Sequence, residues 1–225
     1  MITLFTRSYN KDFEWLSYSI KSMKKNLLGI DHKVLVVPKD HIPSQDIIDF
    51  YDNIHYVTEL HNEGYIAQQL DKIRAYEFTD SEYILFSDSD CIYYKPFNPV
   101  IDRFLDGKIL LPVTPYSDLS GQVLIWKTIT KKIFGKEPTL EYMRMFPILH
   151  HRSVCESVMP LVLQYTSTLK DWHLSEFNAM GFQADLYYPN LYHFKLADYK
   201  AMNAAKQYWS WGGINDTIQK ELNTI

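Results

Sequence analysis

The chain has 225 residues, of which 46% are hydrophobic and 22% charged, with a net charge of −4. This is enough chain for one full α/β domain with a sizeable core, and the composition is that of an ordinary globular protein. The acidic balance and the lack of a long Lys/Arg run argue against non-specific nucleic-acid binding, which rests on neutralising phosphates.

Two cysteines, Cys91 and Cys155, with no CxxC pair exclude a disulfide framework and a cysteine-based zinc site. They fit a reducing compartment. The opening MITLFTRSYN turns polar after a short apolar run, so no secretory leader is expected. No apolar stretch approaches the roughly 18 residues of a spanning helix. The expected location is cytoplasmic.

Along the chain, ITLFT (2–6) reads as a buried strand, and RSYNKD supplies turn and cap chemistry. From Asp12 a stripe of Phe13, Leu16, Ile20, Met23 and Leu27 follows helical spacing. KVLVVP (33–38) is a second strand, SQDIIDFY a short helix and IHYV (54–57) a third strand. GYIAQQLDKIRAYEF (64–78) is helical, YILFS (83–87) the fourth strand and ILLPV (109–113) a fifth. Periodicity leaves VLIWKTITKKIF (123–134) open between helix and strand. SVCESVMPLVLQYTSTL (153–169) predicts a helix that Pro160 kinks or restarts, and LSEFNAMGF (174–182) a short helix ending at Gly181. YYPNLYHFKL reads as extended, QYWSWGG as a loop and INDTIQKEL as a closing helix. Alternating strands and helices imply an α/β fold: a mainly parallel, Rossmann-like central sheet with helices on both faces. With no linker or repeat in sight, residues 1–225 are expected to form a single domain. Residues 1–115 would be its ligand-binding half and residues 116–225 its closing half.

Ligands gather at the carboxyl ends of strands in such sheets. In YILFSDSDCIYY, Asp88 and Asp90 stand at that end of the fourth strand. Two carboxylates aimed into one cleft repel, and a divalent cation relieves the repulsion while keeping positions open for phosphate oxygens. The alternative is a pair of turn caps. Thr6, Arg7, Ser8 and Tyr9 end the first strand and could line the same cleft.

The segment LFSDSDCIYYKPF resembles the DxD segment of GT-A-fold glycosyltransferases. ITLFTRSYNKDFEWLSYSIKSM is similar to their opening strand and helix, IAQQLDKIRAY to the helix preceding the DxD strand and HLSEFNAMGF to a late acidic segment on the acceptor side. The resemblance implies a nucleotide-sugar donor, a UDP-sugar foremost, and Mn²⁺ or Mg²⁺ as cofactor. It makes Asp90 a metal ligand, Asp88 a ligand of the metal or the ribose, and His193 a third metal ligand, unless His193 is a structural histidine between aromatics. Thr6, Arg7, Ser8 and Tyr9 would hold base and ribose, or form an ordinary turn. Gln68, Gln69 and Lys72 would reach the donor, Lys72 neutralising diphosphate charge, or would form a solvated face. Glu176 would be the catalytic base of an inverting transfer, or a first-turn Glu favoured by the helix dipole. His150, His151, Trp209 and Trp211 would lie on the acceptor side, or serve the core. The acceptor would be a surface glycan, a lipopolysaccharide-type glycan or a hydroxymethylated base in phage DNA. Two other functions compete: a binding module that holds nucleotide sugar without catalysis, and an aspartate-dependent phosphohydrolase. The latter normally carries its DxD on the first strand.

Overall fold

The computed structural model describes residues 1–169, 173–198 and 202–225. In chain order its first half holds β1 (Ile2–Arg7), α1 (Phe13–Asn26), β2 (His32–Pro38), α2 (Gln45–Ile48), β3 (Asn53–Val57), α3 (Gly64–Ile73), β4 (Tyr83–Phe86) and β5 (Cys91–Tyr93). The rest holds α4 (Pro99–Asp102), β6 (Phe104–Leu105), β7 (Lys108–Pro115), α5 (Leu124–Phe134), β8 (Leu140–Glu141), β9 (Ile148–His151), α6 (Arg152–Leu163), α7 (Glu176–Tyr187), β10 (Tyr192–Leu196), β11 (Ala205–Gln207) and α8 (Asp216–Leu222).

The central sheet has the order β3-β2-β1-β4-β9. Its first four strands are parallel, and β9 closes the edge antiparallel to β4, with Leu85 opposite Leu149. Continuous apolar runs dictate this placement, because a parallel strand covered on both faces has no solvent side. Leu4, Phe5, Leu35, Val36, Ile84 and Leu85 are accordingly buried. Helices flank the sheet; α1 turns Leu16, Ile20 and Met23 inward at helical spacing.

The expected fifth strand exists, but β7 belongs to a second sheet, paired with β10, β6 and β8. The segment left open at 123–134 is the helix α5, ended by Gly135 in the left-handed region at φ 67°. α6 runs through Pro160 without restarting and ends at Leu163.

Gly181 does not end its helix. It lies inside α7, where an added Cβ would sit 2.3 Å from Cγ of Tyr142. Gly181→Ala is therefore expected to cost about 1–3 kcal/mol by overpacking, read as a lower midpoint in chemical denaturation. An unchanged midpoint would mean that Tyr142 yields freely.

Candidate active site

β1 and β4 are hydrogen-bonded neighbours, so their carboxyl ends open side by side. The chain leaves β4 at Phe86, turns through Asp88–Ser89–Asp90, and re-enters extended structure as β5, with Cys91 N donating to Asp88 O at 3.1 Å. Ser89 Oγ donates to Ser8 Oγ at 2.9 Å and ties this turn to the end of β1. The turn borders a cleft of about 310 Å³. Arg7, Tyr9, Gln68, Gln69, Lys72, Asp88, Asp90, Glu176, Trp209 and Trp211, all expected at the site, line it.

Asp88 and Asp90 occupy different surroundings. Asp90 Oδ2 accepts from Ser210 N at 2.8 Å, whereas Oδ1 is buried without a hydrogen-bond partner among the described residues. Burial, reinforced by the charge of Asp88, pushes the Asp90 carboxyl up to about 6. Asp88 Oδ2 accepts from Gln207 Nε2 at 3.2 Å, and Oδ1 lies 2.5 Å from the ammonium of Lys72. Lys72 Nζ also donates to Glu176 Oε1 at 2.8 Å. Burial opposes its charge, but the two carboxylates outweigh burial and hold the Lys72 pKa above the ordinary value. The ammonium is thus a buried bridge between the aspartate turn and the start of α7.

Glu176 is fully buried, so its carboxyl pKa is raised by desolvation, with Lys72 opposing. Its amide donates to Gln69 Oε1 at 3.3 Å, and Ser175 caps α7 by accepting from Asn178 N. Arg7 is committed elsewhere: Nε donates to Asp71 at 3.1 Å and Nη2 to Glu59 at 2.7 Å.

Several expected site residues lie off the cleft. His193 sits on β10 in the second sheet, paired with Leu110 of β7, so the cleft does not receive it as a third ligand. Thr6 is buried in β1, and Ser8 acts through Ser89. His150 is buried against Phe86 and Tyr192, and His151 accepts from Ser153 N as the cap of α6. Trp209 and Trp211 are 47% and 85% exposed, so they do not anchor the C-terminal segment. That task falls to Tyr208, whose ring lies 5.5 Å from that of Trp15.

Burial pushes His150 down to about 3. Its folded pKa lies below its unfolded value, so on acidification the unfolded chain takes the proton first. Stability should therefore fall as pH drops below about 6.5, with the slope of one proton. His150→Gln is expected to flatten that slope in denaturation curves; an unchanged slope would assign it to other groups.

The site also holds residues that sequence reasoning did not single out. Asp12 lines the cleft beside the pair, and its carboxyl pKa is raised, first by burial. Gln207 and Ser210 arrive on β11 and the turn after it; β11 pairs antiparallel with β5. Trp209 holds the left-handed conformation, φ 57°, between them. Glu59, Tyr65, His41, Gly64 and Met143 also line the cleft.

The acids fit a divalent cation. Among the described residues the cleft lining carries five carboxyl side chains against the two cations Arg7 and Lys72, an excess that would repel a diphosphate. Asp90 Oδ1 is a buried oxygen in need of a partner. No group of three or more His, Cys, Asp or Glu side chains among the described residues forms a ready cage. Two carboxylates plus substrate phosphates are nevertheless an ordinary holding for Mg²⁺.

No protein-family model and no curated protein matches the sequence. A solved structure of galactosyltransferase LgtC, in complex with donor and acceptor sugar analogues, is similar with a TM-score of 0.50 and 13% identity, over 86% of this chain and 73% of that one. The fold is GT-A-like. In this GT-A-like chain the described residues include no helix long and apolar enough to cross a membrane.

Proposed function

We propose that the chain is a glycosyltransferase that moves a sugar from a nucleotide diphosphate sugar, a UDP-sugar foremost, to an acceptor hydroxyl. One observation carries the reading. Asp88, Asp90 and Glu176 converge on a single cleft at the carboxyl end of parallel strands, and one Asp90 oxygen is buried without a partner among the described residues. Asp88 and Asp90 would hold Mn²⁺ or Mg²⁺, which when bound offsets the charge of the departing diphosphate.

The remaining work belongs to the chain. Tyr9, whose ring centroid lies 6.4 Å from that of His41, and Tyr65 offer aromatic surface for the base. Gln68 and Gln69 supply amide groups to ribose or sugar hydroxyls. Glu176 takes the proton of the acceptor hydroxyl on Oε2, the oxygen that Lys72 leaves free. Burial raises its pKa, which makes it a stronger base than an exposed carboxylate.

A thermal-shift panel of nucleotides with and without Mn²⁺ tests the donor half, because a ligand that binds the native state raises the melting temperature. One nucleoside diphosphate should stabilise the protein only with metal. Glu176→Gln should keep that shift and lose about 10²- to 10⁴-fold in transfer rate. No shift with any nucleotide would overturn the reading, and a shift with transfer unaffected by Glu176→Gln would remove Glu176 as the base.

A further inference from the structure

A second cavity of about 240 Å³ adjoins the cleft, and Met143, Gln207 and Trp209 line both. The shared wall is tied to the chemistry: Ser175, the residue before Glu176, donates to Met143 Sδ, and Gln207 donates to Asp88. A molecule seated in the second cavity therefore lies against Met143 and Gln207, the residues that touch Ser175 and Asp88.

The composition of the second cavity differs from that of the first. Its lining among the described residues includes no carboxylate, but two cations, Arg144 and Lys206, and the aromatic faces of Trp126, Phe146 and Trp209. Arg144 is anchored from behind. Its Nε lies 3.0 Å from Oε2 of the buried Glu141, and among the described residues no other ion pair of Arg144 occurs. The anchor leaves the two terminal nitrogens of the fork for a planar anion. Lys206 lies over the Tyr208 ring and pairs with Glu221 in the exposed layer. Aromatic faces beside a planar cation suit a pyranose ring that carries an acid. The volume falls below the roughly 300–1,000 Å³ of a drug-sized site, so it takes about one ring.

We infer that this second cavity is the acceptor subsite and that the acceptor residue it takes is an anionic sugar, a uronic acid or a sugar phosphate, held by Arg144 against Trp126 and Trp209. The inference rests on the transferase reading for the word acceptor, while the anion site itself stands on the cavity.

Methyl glucuronide, glucose 6-phosphate and the neutral methyl glucoside are the probes, titrated into the whole chain and followed by tryptophan fluorescence. The Mn²⁺–UDP thermal shift is measured in parallel. At least one anionic probe should quench fluorescence and bind at least tenfold tighter than the glucoside. Which anion wins separates carboxylate from phosphate. Lys206→Met, which removes an ammonium already paired with Glu221 outside the cavity, should change the affinity for that probe less than twofold. Arg144→Lys, which keeps the charge facing Glu141 but loses the fork, should weaken it tenfold or more; both variants should retain the Mn²⁺–UDP shift. Equal binding of the neutral and anionic probes, or no binding of any, overturns the inference. Tight, salt-dependent binding of DNA lost in the same variants, with no binding of the sugars, also overturns it in favour of a nucleic-acid acceptor. Loss of the Mn²⁺–UDP shift in the wild type, with anionic-sugar binding intact, sinks the donor reading and leaves the anion site standing.

Discussion

Lys72→Met is expected to lower the unfolding free energy by about 3–5 kcal/mol, the usual cost of removing one partner from a buried charge pair. The magnitude follows from what would be left behind. Lys72 Nζ lies 2.5 Å from Asp88 and 2.8 Å from Glu176, and Glu176 has no exposed surface. Without the ammonium, two acids would face each other across a methionine side chain, and Glu176 would hold its charge with no counter-ion. Its pKa, already raised by burial, would rise further. Transfer activity should fall with the ammonium, since losing the counter-charge favours the protonated form of Glu176, which takes no further proton. Combining Lys72→Met with Glu176→Gln removes both the cation and the acid that needs it most. The double variant should recover at least 1 kcal/mol of the loss, because residues in contact do not add. Urea denaturation of wild type, both single variants and the double variant closes this cycle. A loss under about 1 kcal/mol in Lys72→Met, or strict additivity in the cycle, would show that the bridge is not formed in solution.

The sequence disclosed most where a single local rule governs. The stripe of Leu16, Ile20 and Met23 fixes α1, and the apolar runs of β1, β2 and β4 fix buried strands whose carboxyl ends must gather ligands. Asp88 and Asp90 were legible for that reason: a buried strand ending in two acids demands a partner for each. Lys72 and Glu176 were legible as candidates but not as a pair, since 104 residues separate them and the contact exists only once α3 and α7 pack together. Gln207 and Ser210, 119 and 120 residues from the acids they bond, left no signal: Ser210 donates through a backbone amide, which has no side-chain signature, and Gln207 reaches Asp88 only once β11 pairs with β5. β9 escaped as the edge strand because four residues of apolar pattern do not distinguish a strand from a turn of helix. Gly181 misled because a glycine after an apolar helical run ordinarily caps it; here its missing Cβ makes room for Tyr142 inside the helix. His193 fell away for a similar reason. Its register belongs to β7, a strand whose sheet the local pattern did not reveal.

Asp90→Ala should leave the fold intact and abolish metal-dependent nucleotide binding. The two halves of this prediction have separate physical grounds. In the absence of ligand Asp90 is only 6% exposed, its pKa is pushed up to about 6, and one oxygen has no partner among the described residues, so the native state bears a cost for keeping it. Removing it forfeits the hydrogen bond from Ser210 N, a partly buried group. A neutral hydrogen bond contributes about 1 kcal/mol and one to a charged group about 1.5–3, which the relief of an unpaired buried acid offsets in part. The expected change in stability without ligand is therefore under about 2 kcal/mol in either direction. With ligand the variants diverge. At a nucleotide concentration 100-fold above its Kd the wild type gains about 2.7 kcal/mol by mass action. Asp90→Ala should gain nothing, with or without Mn²⁺, and chelation by EDTA should bring the wild type to the same baseline. Asp88→Asn provides the contrast, since Asp88 pairs with Lys72 as well as facing the cleft. It should lose stability even before ligand is added. Full retention of the Mn²⁺-dependent shift in Asp90→Ala would remove the aspartate turn from donor binding, and unfolding of that variant would make Asp90 a structural residue whose hydrogen bond to Ser210 holds the C-terminal segment in place.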